Sequence, residues 1–150
     1  ALNSFISSSF WSERLGPACA LTFIKKHKKL QLGKKLNVIG KKIKDIWKKN
    51  AKKNNLKLEI FGIEPLASFK IKCKNWPEVI TFFNQEMLKE GILASDRCYA
   101  NLCHTNEVLN KYDKACNKVF KKISKYENSK MIKSKLEGPV KQMGFKRLTS

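Results

Sequence analysis

Residues 57–72 read KLEIFGIEPLASFKIK, and this stretch decides the fold. Lys57 to Phe61 is an apolar-rich run of strand length, and Gly62-Ile63-Glu64-Pro65 has the chemistry of a turn. From Leu66 to Lys72 apolar and charged residues alternate, with Phe69 and Ile71 opposed to Lys70 and Lys72. That is the period of a half-buried strand, and the two runs are predicted to pair.

On the N-terminal side, Leu36, Ile39, Ile43, Ile46 and Trp47 recur at helical spacing, with lysines filling the other face through Lys53. The spacing predicts a helix docked by one stripe, ended by Asn54-Asn55. The alternative is a basic amphipathic helix lying on a membrane or a nucleic acid. Further upstream, Ala18 to Lys29 reads as a helix whose basic end suits the helix dipole. Its start is either an irregular turn from Ser12 or Pro17 itself, and a break is expected within Gln31–Lys35.

On the C-terminal side, Asn75-Trp76-Pro77 opens a helix with Val79, Ile80, Phe83, Met87 and Leu88 on its buried face and Gly91 as its stop. Ile92-Leu93-Ala94 and Cys98-Tyr99-Ala100 are expected as short strand pieces around the loop Ser95-Asp96-Arg97. Thr105 caps the next helix, whose apolar face is Val108, Leu109, Tyr112, Cys116, Val119, Phe120 and Ile123. From about residue 126 a polar surface tail is expected, with a short helix at Met131–Leu136 broken by Gly138-Pro139. The order predicts an α+β fold, a few-stranded, mostly antiparallel sheet covered by helices on one side.

The chain has 150 residues and a formal charge of +20. Such a charge invites a polyanion reading, a basic RNA-binding module without catalysis. Against it, the cations are twenty-nine lysines and only three arginines (Arg14, Arg97, Arg147), whereas bidentate reading of phosphates and bases leans on arginine. Nucleic acid is therefore not the preferred partner. Five cysteines without a C-x-x-C pair fit reduced thiols in a cytoplasmic protein, and the spacing of Cys98, Cys103 and His104 matches no zinc pattern, so no metal is expected. No run has the length of a membrane span and no signal segment opens the chain, so no membrane partner is expected. A start at Ala1 fits either processing or a piece of something longer.

Residues 4–21, SFISSSFWSERLGPACAL, are harder to explain by packing alone. Three serines precede Phe10 and Trp11, and Ser12 and Glu13 stand where a helix would be capped and its dipole met by an acid. A hydroxyl-lined turn at a helix start suits a phosphate, and it equally suits an ordinary capped helix. The segment resembles the S-S-[ST]-F-W-[ST]-E-R-[IL]-G-P-A-x-A-L stretch of class III pyridoxal-phosphate (PLP) aminotransferases, in the branch related to glutamate-1-semialdehyde aminomutase. The resemblance continues through Gln85-Glu86-Met87-Leu88, Gly91, Ala94-Ser95, Tyr99-Ala100, His104-Thr105, Glu107-Val108, Gly138-Pro139-Val140 and Gly144 to Thr149, in the family's order.

The resemblance implies the C-terminal part of a fold-type-I PLP enzyme that works as a homodimer on a small amino or keto compound. Residues 1–29 correspond to the end of the large cofactor domain and the helix leading out of it, and residues 30–150 to the small domain. Ser9, with Ser8 beside it, corresponds to the residues that reach the cofactor phosphate of the partner subunit. Arg97, Tyr99 and His104 correspond to a loop facing the active-site entrance, although the family usually has a small polar residue where Arg97 stands. This stretch is also shorter than in the true aminomutases, which leaves a related aminotransferase open. The family's Schiff-base lysine segment is not in this chain, so the chain by itself is expected to be inactive and to carry no catalytic residue. The remaining reading is a degraded remnant without activity.

Overall fold

The computed structural model describes residues 13–126, 130–142 and 144. The elements are α1 (Leu15–Leu30), α2 (Leu32–Lys53), β1 (Leu58–Phe61), β2 (Leu66–Ile71), α3 (Trp76–Lys89), β3 (Arg97–Tyr99), α4 (Asn106–Tyr126) and a 3-10 helix at Lys130–Lys135. Their order is the one expected from the sequence. The chain divides into two compact units, residues 1–34 and 35–150.

In the first unit, α1 begins at Leu15, with Ala18 N–H donating to Arg14 O at 3.0 Å. Pro17 thus falls within the first turn, where no intrahelical N–H is needed. The helix ends at Gln31, which takes a left-handed conformation (φ 48°) and donates its N–H to the carbonyls of His27 and Lys28. The break lies within the expected segment, at its first residue.

The second unit is a three-stranded antiparallel sheet in the order β1-β2-β3, with Ile60 opposite Phe69 and Ala67 opposite Cys98. Alternation along β2 turns Ala67, Phe69 and Ile71 into the core and leaves Lys70 outside. Phe69 is the centre of the packing. Its ring centroid lies 4.9 Å from Trp47 of α2, 5.2 Å from Phe83 of α3 and 5.9 Å from Phe120 of α4. Three helices therefore cover one face of the sheet, the α+β arrangement expected.

Two close approaches fix α2 against the hairpin. A Cβ on Gly40 would stand 1.8 Å from Glu64 O, so helix and turn meet backbone to backbone. Lys44 Nζ donates to Gly62 O at 2.8 Å and pairs with Glu64 Oε1 at 3.3 Å. Gly62 itself has φ +80°, and a Cβ there would meet Leu66 O at 2.4 Å.

Several expectations are corrected. Residues 92–94 form no strand, and Arg97 lies at the start of β3 and not in the preceding loop. Phe69 N–H donates to Asp96 O at 2.9 Å, so pairing with β2 begins only at the end of the loop. Leu88 and Val108 are exposed, each outside the stripe its helix buries, while Phe82 is buried against Tyr126 at 6.3 Å. The tail after Tyr126 does not simply lie on the surface. Ile132 enters the core, Gln85 bridges Lys135 O (3.0 Å) and the Glu137 N–H (2.8 Å), and Lys141 N–H donates to Thr81 Oγ1 at 2.8 Å.

Candidate functional site

Gly91 ends α3 with φ +72°, and the following residues bend back so that Ile92 N–H reaches Met87 O at 3.0 Å. The loop from Gly91 to Asp96 is thereby held away from α4, and a cavity of about 390 Å³ lies between them. Ile43 of α2, Ile92 of the loop and Leu109 of α4 give it apolar walls. Arg97 and Cys98 of β3, His104, and Lys111 and Tyr112 of α4 bring polar atoms to it.

The polar groups differ in how firmly they are engaged. Tyr112 Oη accepts a hydrogen bond from Trp47 Nε1 at 2.7 Å, and burial pushes its phenol well above the ordinary value. Burial likewise raises the Cys98 thiol, and it carries Cys116 beneath Tyr112 up to about 12. Neither thiol is a ready nucleophile at neutral pH, since the thiolate is the reactive form. His104 Nδ1 accepts from the Asn101 N–H at 3.4 Å, and the His104 backbone N–H donates to Asn101 O at 3.1 Å, which holds the residue just before α4.

Arg97 is the least engaged. Its Nε is 4.0 Å from Asp96 Oδ2, too far for a hydrogen bond. Asp96 is otherwise occupied, accepting from Ser95 Oγ at 2.7 Å and from Lys141 Nζ at 3.2 Å. Burial alone would raise the Asp96 carboxyl, but these two hydrogen bonds and the nearby cations outweigh it and hold the group below its ordinary value.

The structure thus brings Arg97 and His104 to one cavity and leaves Tyr99 outside it, exposed on β3. Ser8 and Ser9 lie outside the described residues. Lys111, Tyr112 and Cys98 belong to the cavity and were not singled out for it from the sequence. Lys111 and Tyr112 stand three and four residues after Val108, which sets them on one side of α4, and His104 lies just before that helix. A larger, more open groove of about 630 Å³ lies between α2 and α4, but Lys49 pairs with Asp113 there at 2.5 Å and Lys42 donates to Asn106 at 2.9 Å. Its charges are matched by its own residues.

Among the described residues, no three His, Cys, Asp or Glu side chains gather as a metal site, and no helix is long and apolar enough to cross a membrane.

No protein-family model matches the chain, and no curated protein does. A solved structure does match: the PLP internal aldimine form of the FumI protein of Sphingopyxis sp. MTA144, with TM-score 0.68 over 83% of this chain and 15% sequence identity. The match takes up 30% of that chain, so the present chain spans less than a third of it. At this identity the likeness is one of fold, and the α+β fold of this chain is that of one part of a PLP-bound protein.

PLP itself needs a lysine amine that is desolvated and positioned to form an imine. No described lysine is buried, and the two that are half-covered, Lys44 and Lys122, are ion-paired with Glu64 and Glu86. The described residues do not by themselves make a PLP site.

Proposed function

We propose that this chain is the C-terminal, small-domain part of a PLP-dependent aminotransferase or aminomutase acting on a small amino or keto compound. The observation that carries this reading is the match of fold, over 83% of the chain, to part of a PLP-bound protein. It agrees with the resemblance of residues 4–21 to the class III aminotransferases. In this reading Ser9, with Ser8, contributes a phosphate contact across a homodimer, and Arg97 and His104 face the small compound. The imine-forming lysine comes from the remainder of the enzyme, in the cytoplasm. The test is to read the coding frame upstream of Ala1, express the whole product and record its cofactor absorbance. A glycine-flanked lysine upstream and an aldimine band support the reading. A protein without either overturns it.

A second reading rests on α2. Nine lysines lie along this helix, and Lys41, Lys48 and Lys52 are exposed along one side of it. A polyanion such as RNA would find a ready-made row of charges there. Binding that falls steeply with added salt and ignores PLP would favour it over the enzyme reading.

A further inference from the structure

We propose that the cavity between the Gly91–Asp96 loop and α4 binds a small organic carboxylate with an apolar body of about four to six carbons, held by Arg97 and Lys111. Its volume, about 390 Å³, lies toward the small end of ligand pockets. No described acid lines it, although two cations and a histidine do. Cations without a facing acid favour an anion, and here they converge on a walled cavity.

Arg97 is prepared for this by its neighbours. Ser95 and Lys141 satisfy Asp96, and the guanidinium fork keeps its donors for a planar, two-oxygen acceptor. Lys111 lines the same cavity beside Gly91, its Nζ 3.9 Å from where a Cβ of Gly91 would be. It makes no ion pair with a described residue. Tyr112 is held by Trp47 and acts as wall. Besides Ser95, Cys98 and His104, the remaining walls, Ile92 and Leu109 among them, are apolar. They favour a ligand whose far end is hydrocarbon.

As a substrate site, this inference rests on the proposed function. The binding it requires, however, involves only residues 43–112 and no cofactor. The two are therefore tested separately. The full 150-residue chain is titrated with sodium pentanoate at constant ionic strength and followed by amide NMR, with sodium acetate, pentan-1-ol and sodium phosphate as comparison probes. The expected result is saturable shifts confined to residues 91–98 and 104–112, with pentanoate tighter than the other three. Arg97→Gln and Lys111→Gln are each expected to weaken it about tenfold, the loss of one charge-assisted contact. Lys57→Gln, exposed between α2 and β1 and away from the cavity, is expected to leave it unchanged. Acetate or phosphate binding as tightly as pentanoate, or shifts spread over the α2 lysines, would overturn the proposal. So would an unchanged affinity in both cavity variants. Missing PLP in the whole enzyme would sink the functional reading while leaving this site standing.

Discussion

Glu86 and Arg97 are both charged residues set beside α4, and their surroundings are opposite. Glu86 is 4% exposed and accepts hydrogen bonds from Lys122 of α4, from Lys89 at 2.8 Å and from Gln85 at 3.2 Å. Arg97 has a side chain 61% exposed and no described acid within hydrogen-bonding distance. Acids are scarce here, twelve against thirty-two cations, and where they are placed is informative. Glu64 joins the hairpin turn to α2, Asp113 joins α4 to α2, and Glu86 and Glu90 join α3 to α4. These acids tie elements together, and no described acid lines the cavity. Substitutions at the tied, packed side should therefore cost stability, and those at the cavity should cost binding alone.

The sharpest break of the packed side is Phe69→Ala. Phe69 is fully buried and touches aromatic rings from all three covering helices, Trp76 and Phe83 both from α3. Its truncation is expected to cost about 3–5 kcal/mol, a large share of the roughly 5–15 kcal/mol that holds a domain of this size. Urea unfolding followed by tryptophan fluorescence would show it. A loss below about 1 kcal/mol would mean that Phe69 is not the centre of the core.

Glu86 gives the next largest effect, and it depends on pH. Burial by itself would raise its pKa, but hydrogen bonds from Lys122, Lys89 and Gln85 outweigh burial and hold it at about 2, against 4.5 ordinarily. The folded value is the lower one, so the stabilisation is present above about pH 4.5 and is lost as pH falls toward 2. A shift of that size is worth on the order of 3 kcal/mol. Glu86→Gln is expected to be less stable at pH 7 and to show a shallower loss between pH 4.5 and 2. Asp96 and Asp113, also held low, keep some slope in the variant. Equal slopes in both proteins would remove Glu86 from this role.

Gly40→Ala is expected to cost about 1–3 kcal/mol, because the added methyl can be accommodated only by moving α2 or the turn. Lys44 bonds to the same turn, so its contact with Gly62 O should loosen as well. Hydrogen exchange at residues 60–66 would report this, and unchanged protection there would show the turn to be more yielding than its geometry implies.

What could be read from the sequence follows the same division. The hairpin at residues 57–72 and the stripes of α2, α3 and α4 were legible because a packed face imposes a period on the chain. Phe82 and Ile132 escaped, since each is buried by a partner distant in sequence that no local period reveals. Arg97 and His104 were picked out by resemblance, and Tyr99 with them. That Arg97 lines a cavity while Tyr99 does not depends on the path of the Gly91–Asp96 loop, which has no period. Lys111 was one lysine among twenty-nine until the fold set it on the same cavity as Arg97.

The smallest expected effect tests the other half of the comparison. Arg97→Gln removes a charge that no described side chain hydrogen-bonds, and surface changes away from caps, cores and paired charges usually stay within about 0.5 kcal/mol. Its midpoint in urea should match the parent's, as should that of Tyr99→Ala, which is exposed on the same strand. Coincident midpoints, with only Arg97→Gln losing pentanoate, would separate a residue kept for a ligand from one kept for the fold. A destabilisation of Arg97→Gln beyond about 1 kcal/mol would instead make its approach to Asp96 a structural contact. In that case the cavity would owe its open shape to the Arg97–Asp96–Lys141 cluster, and the cations lining it would no longer imply an anionic ligand.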